Sequence, residues 1–136
     1  MAIVYEQVDT LASAAFVDIL DRSGLAARRP VDDLDRIGRM LAHADLIVVA
    51  RDEQSGALVG VARSVTDHSY CCYLSDLAVD RAFQGQGIGR QLIEETRAAA
   101  GPESMCLLLA APDAVPFYKA IGMPQSDVAF LYPRER

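Results

Sequence analysis

Tyr73-Leu74-Ser75-Asp76-Leu77-Ala78-Val79-Asp80-Arg81-Ala82-Phe83-Gln84-Gly85-Gln86-Gly87-Ile88-Gly89-Arg90 is the stretch on which the reading of this chain turns. An apolar, strand-like run ending at Val79 feeds a loop with three glycines. Beyond the loop, Leu92, Ile93 and Thr96 recur at helical spacing to about Ala100, where Gly101-Pro102 stops the pattern. Glycine lets main-chain N–H groups approach a ligand with no Cβ in the way. Free N–H groups at a helix start, together with the helix dipole, form an anion site. Each dipole contact is worth ~0.3–1 kcal/mol when exposed and up to ~2 kcal/mol when partly buried. A pyrophosphate that meets several is therefore held without a cluster of lysines, and Arg90 adds a charge-assisted contact.

The spacing excludes two phosphate ligands. A dinucleotide fold needs Gly-x-Gly-x-x-Gly, whereas here the glycines stand at 85, 87 and 89, and no doubly wound sheet follows. A nucleoside-triphosphate loop needs Gly-Lys-Ser/Thr, and Gly89 is followed by Arg90-Gln91. On the glycines alone, a turn without phosphate function stays open beside the anion site.

Working outward, residues 2–8 alternate as an opening strand. Thr10 precedes a helical pattern through Leu11, Ala14, Ala15, Ile19 and Leu20, which Gly24 stops. Asp32-Asp33 begins a second helix with Leu34, Ile37, Met40 and Leu41 on one face, its acidic start matching the dipole. Leu46–Arg51 and Ala57–Val65 form a hairpin around Asp52-Glu53-Gln54-Ser55-Gly56, and Tyr70–Val79 is the next strand. Met105–Ala110 reads as a short strand buried on both faces. A short helix follows near Ala114–Ile121, closed by Gly122, and Val128–Tyr132 is expected as a last strand. No repeat or linker interrupts this pattern, so residues 1–136 are expected to form a single mixed α/β (α+β) domain.

The charge balance is acidic, with a formal net charge of -6, and no Lys/Arg cluster offers the basic face that nucleic acid requires. No apolar run reaches the roughly 18 residues of a membrane span, and no signal peptide is read at the N-terminus. Cys71, Cys72 and Cys106 form no Cys-x-x-Cys pair. That argues for a reducing, cytoplasmic setting, against a disulfide framework and against a metal site. All three are expected as small core hydrophobes, with Cys71 and Cys72 on opposite faces of their strand.

Gln84-x-x-Gly87-x-Gly89 directly after a strand ending Leu77-Ala78-Val79 resembles the acetyl-CoA signature of the GNAT superfamily of N-acetyltransferases. The segment Ala114-Val115-Pro116-Phe117-Tyr118-Lys119-Ala120-Ile121-Gly122-Met123 is similar to that family's "Phe-Tyr-x-x-x-Gly-Phe" helix. The match covers roughly residues 46–123. It implies a mixed, mostly antiparallel central sheet of about six to seven strands flanked by about four helices. It also implies acetyl-CoA as co-substrate, with Leu77, Ala78 and Val79 hydrogen-bonding the pantetheine arm. Gln84, Gly85, Gln86, Gly87, Ile88 and Gly89, with Arg90 at the edge, would wrap the pyrophosphate, and Tyr118 would protonate the departing thiolate. Two departures stand out. Ala111 replaces an asparagine that contacts the cofactor in many members, leaving that contact to Asp113 or to backbone. The fourteen residues 123–136 leave little room for a full final hairpin, so either the closing strand is short or a partner subunit completes the sheet in a homodimer.

The chemistry suits a tyrosine acid. Its reference pKa of about 10 stands against about 8.5 for a thiol, so it is protonated at neutral pH and close enough to share a proton. A packed aromatic on an amphipathic helix is the alternative for Tyr118. The acceptor amine must also be neutral, which at pH 7 costs a lysine-like amine about 4.6 kcal/mol. The later strand carries no carboxylate in Met105-Cys106-Leu107-Leu108. No convincing base stands out in the sequence. By resemblance to certain polyamine-acetylating relatives, which have acidic residues at this place in the strand, Asp76 would hold a cationic acceptor or accept a proton, against a structural carboxylate hydrogen-bonded to the sheet. Arg28-Arg29 instead favour an acceptor bearing a carboxylate. The expected activity is acetyl transfer to the primary amine of a small molecule whose identity the sequence leaves open. Transfer to a peptide or protein, and binding of acetyl-CoA without turnover, are the alternatives.

Overall fold

The computed structural model describes residues 2–136. Strand β1 (Ile3–Val8) leads to helix α1 (Ser13–Ser23), whose C-cap Gly24 takes the left-handed φ of 89° that a side chain would resist. A 3-10 turn (Leu25–Arg28) connects to α2 (Leu34–Ala42). Asp33 caps α2 by accepting the Arg36 N–H at 3.0 Å, as its place before the apolar periodicity predicts. Then come β2 (Leu46–Asp52), β3 (Leu58–Thr66) and β4 (Cys71–Val79). A 3-10 turn (Arg81–Phe83) opens the glycine loop, α3 (Ile88–Ala100) follows, and β5 (Met105–Leu107) and α4 (Val115–Ala120) complete the order.

The sheet runs β1-β2-β3-β4-β5, with the first four strands antiparallel and β5 parallel to β4 across the α3 crossover. Strand β2 is apolar on both faces because it carries two cores. Leu46, Val48 and Ala50 join Leu92, Ile93 and Ile88 under α3, while Ile47 and Val49 join Phe16, Ile19, Leu20 and Ile37 under α1 and α2. Burying one such side chain contributes roughly 1.5–3 kcal/mol, so these two layers hold the helices to the sheet.

One irregularity in β4 decides where the site lies. Arg63 pairs with Asp76 but Ser64 pairs with Leu74, so Ser75 is an extra residue, a β-bulge. A bulge resets the side-chain alternation. Cys72 and Leu74 face the α3 core before it, and Leu77 and Val79 face that core after it, while Asp76 turns toward α2. Beyond the bulge β4 loses its other neighbour, because pairing with β5 stops at Tyr73–Leu107. The outer edge of β4 over Leu77–Val79 faces a gap.

Several expectations are corrected. Among the described residues the sheet has five strands rather than six to seven, and residues 123–136 contain no strand. Val128, Phe130, Leu131 and Tyr132 lie exposed. An apolar run signals a strand only where the folded chain brings it against an edge, and here it lies away from the sheet. Met105–Ala110 shortens to Met105–Leu107 and is not buried on both faces, with Met105 58% exposed, since β5 is the sheet's outer edge. Cys71 is exposed rather than in the core, while Cys72 is buried on the opposite face as alternation requires. The first helix also starts at Ser13, with Ala12 and not Thr10 at its cap.

Candidate active site

The loop after β4 is built from both ends. Asp80 caps the Arg81–Phe83 turn by accepting the Ala82 N–H at 2.9 Å, and its other oxygen accepts from Arg22 Nη1 at 2.6 Å. Arg22 also donates to the Leu58 carbonyl at 2.7 Å, so α1 is tied to the strand and to the loop's entrance. Burial works against the Asp80 charge. The Ala82 N–H and the Arg22 guanidinium outweigh it and hold the carboxyl below its usual range. Gln84 donates to the Val79 carbonyl at 3.3 Å, bracing the strand's last residue.

Gly85 and Gly87 have φ of 83° and 81°, which is why glycine stands there. Gly89 is needed for a different reason. Its φ is ordinary, but a Cβ would lie 2.8 Å from Phe117 Cζ. The start of α3 and the Phe117 ring are thus in direct contact. The main-chain N–H groups of Gly85, Gln86, Gly87, Ile88, Gly89 and Arg90 have no hydrogen-bond acceptor among the described residues, and Gly87 offers no side-chain cap. Six such donors lie in and just before the first turn of a 13-residue helix, the arrangement that an anion cradle requires.

Tyr118 lies on α4 against the α3-side core, its ring edge-on to Phe117 at 5.0 Å. Burial raises its pKa above the ordinary tyrosine value, and the nearby positive charge of Arg29 offsets part of that rise. The phenol therefore stays protonated at neutral pH. Cys106 offers no thiolate: burial, followed by its neighbour Cys72, raises its pKa to about 11.

Asp76 lies inside the protein with both carboxylate oxygens engaged. It is 0% exposed, and its two carboxylate oxygens accept separately from Arg29 Nε and Arg63 Nε. Arg63 also donates to Ser75 Oγ at 3.1 Å and the Met40 carbonyl at 3.3 Å, and Arg29 donates to the Ser75 carbonyl at 2.8 Å. A carboxylate engaged in this way neither holds a cationic acceptor nor takes a proton from one. Asp76 is a positioning residue. Sequence reasoning missed Arg22, Arg63 and Phe117 as parts of the site because their partners lie far along the chain. Asp80 carried a readable signal, a capping side chain at the strand-to-turn junction. Among the described residues no cluster of three or more His, Cys, Asp or Glu is placed to hold a metal ion.

The site thus brings together a sheet that opens beside β4, a run of acceptor-free N–H groups at the head of the following helix, and the half-buried phenol of Tyr118 on α4. Residues 43–122 match the Acetyltransferase (GNAT) domain family. The chain belongs to that family. It is 31% identical over 111 residues to an uncharacterized N-acetyltransferase of Porphyra purpurea, covering 74% of this chain but only 63% of the relative. The fold is similar to a GNAT family acetyltransferase of Streptococcus pneumoniae TIGR4, with a TM-score of 0.77, 20% identity and coverage of 99% of this chain and 100% of that one. It is also similar to an aminoglycoside acetyltransferase from an uncultured soil metagenomic sample, solved with sisomicin. There the TM-score is 0.71, with 21% identity and coverage of 98% and 97%. The central sheet is the mixed, mostly antiparallel one of this family, with four helices. Among the described residues no helix is long and apolar enough to cross a membrane.

Proposed function

We propose that the protein transfers an acetyl group from acetyl-coenzyme A to the primary amine of a small molecule, with Tyr118 as general acid. The observation that carries this reading is the run of six acceptor-free N–H groups at 85–90, placed between the open edge of β4 and the Tyr118 helix. The cofactor's diphosphate fits those donors, and its amide-bearing arm fits a bare strand edge at Leu77, Ala78 and Val79. When bound, acetyl-CoA supplies an activated thioester carbonyl. The chain's residues do the rest. Gln84–Arg90 hold the anion, Leu77–Val79 orient the arm, and Tyr118 gives its proton to the sulfur as the C–S bond breaks and the C–N bond forms. The amine's own proton leaves to solvent, since Asp76 is engaged.

A small acceptor is supported by the segment over the site. Arg22 and Arg29 pin residues 22–29 to Asp80, Leu58 and Ser75, which favours a fixed wall beside β4 over an open peptide groove. The test is thiol release from acetyl-CoA with a panel of amines, amino acids and aminoglycosides. Binding without release from any of them would reduce the protein to a cofactor-binding module.

The same chain exposes an unpaired strand edge at β5, with Met105 and Leu107 exposed on it and Leu109 just beyond, and an apolar segment with Val128, Phe130, Leu131 and Tyr132. The dimer belongs to this proposal, with the segment of one copy covering the β5 edge of the other. Light scattering is expected to give twice the chain mass, and Phe130→Lys is expected to return a monomer. A wild-type protein that stays monomeric at high concentration would remove the dimer.

A further inference from the structure

The cluster around Asp76 is not electrically balanced. Arg29 and Arg63 bring two positive charges to one carboxylate, leaving one positive charge over. Arg63 is nearly closed off, with its side chain 7% exposed, whereas that of Arg29 is 21% exposed. The surplus charge therefore opens to solvent through Arg29. A guanidinium has five N–H donors. Three of them are engaged, by Asp76, by the Ser75 carbonyl and by the Arg28 carbonyl at 2.8 Å, and two are left.

The side chain is fixed rather than floating. Pro30 disfavours helical backbone at the residue before it. Arg29 accordingly ends the 3-10 turn in an extended conformation, φ -135° and ψ 154°, which carries its side chain to the bulge. There it binds the Ser75 carbonyl, upstream of the Leu77–Val79 edge and away from the anion cradle at 85–90. It also lies near enough to Tyr118 for its charge to act on the phenol. A preoriented guanidinium with two free donors suits a planar two-oxygen anion.

We propose that Arg29 is a specificity-determining residue that binds a carboxylate on the acceptor, so that the substrate class is amines that also carry a carboxylate, as amino acids do. This rests on the acetyltransferase reading and adds the acceptor to it. Arg28, also basic, is exposed and serves the arrangement only through its backbone carbonyl.

The experiment compares free amino acids with their carboxamides. It uses thiol release from acetyl-CoA, and separately the binding of N-acetyl amino acids and N-acetyl amino acid amides by NMR titration. The expected result is a wild-type preference for the acid form of at least about tenfold in kcat/KM and in affinity, the scale of a charge-assisted pair. Arg29→Gln should bring both ratios to within about twofold, Arg29→Lys should keep part of the preference, and Arg28→Gln should keep all of it. A purely structural role would lower acid and amide together and leave the ratio intact. Equal use of acids and amides by the wild type, no binding of either N-acetyl form, or an Arg29→Gln ratio like the wild type's would overturn the assignment. The two readings fail separately. Thiol release from amides and acids alike removes the carboxylate site and keeps the enzyme. Arg29-dependent binding of N-acetyl amino acids without thiol release from any amine removes the enzyme and keeps the site.

Discussion

Tyr118→Phe is expected to lower kcat by about 10²-fold or more, the usual contribution of a positioned general acid. Phenylalanine keeps the ring that packs against Phe117 and removes only the proton. The pH profile gives the sharper reading. Wild-type kcat/KM should rise with pH as the acceptor amine deprotonates. It should bend down only above the ordinary tyrosine value, because burial raises the Tyr118 pKa and Arg29 offsets only part of that. The variant should lack the downward limb, having no phenol to lose its proton. A Tyr118→Phe enzyme with the wild-type rate at every pH would make this residue a packed aromatic and nothing more.

Asp76→Ala is expected to cost more in stability than any surface change. Removing one partner of a buried ion pair typically costs ~3–5 kcal/mol, because the remaining charge is left uncompensated. Here two guanidiniums lose their shared carboxylate, and Arg63 is almost without access to water. With one kcal/mol worth roughly 2–8 °C across domains of about 60 to 250 residues, Tm should fall by ~10 °C or more. Urea denaturation of the two proteins side by side checks this. An Asp76→Ala protein of unchanged stability but no turnover would reverse the interpretation and return the carboxylate to the chemistry.

The contrast between these residues explains what the sequence makes legible. The strand-to-helix turn at 79–89 is local, since its glycines, its capping aspartate and the apolar period of α3 all lie within a few turns of chain. Its strand, glycine turn and helix read directly, each in the place the structure gives it. Gly24 and Asp33 read in the same way, as helix stop and helix start. Asp76 does not, because its partners stand 47 and 13 positions away and its orientation depends on an inserted Ser75 that no hydrophobic period announces. Met105–Ala110 and Val128–Tyr132 fail for a related reason. A run of apolar residues states a preference for pairing, and whether an edge is within reach is a property of the folded chain. Phe117 reads as an ordinary apolar position in a family motif, and only the packing shows that its ring takes the volume of a missing side chain at Gly89.

That shared volume makes the first turn of α3 and the short helix bearing Tyr118 one mechanical part. Because the Phe117 ring fills the space a side chain at Gly89 would need, a bulkier residue at 89 pushes on the helix that carries Tyr118. Under the proposed function, a change made to the loop for another donor would therefore also be felt at the acid.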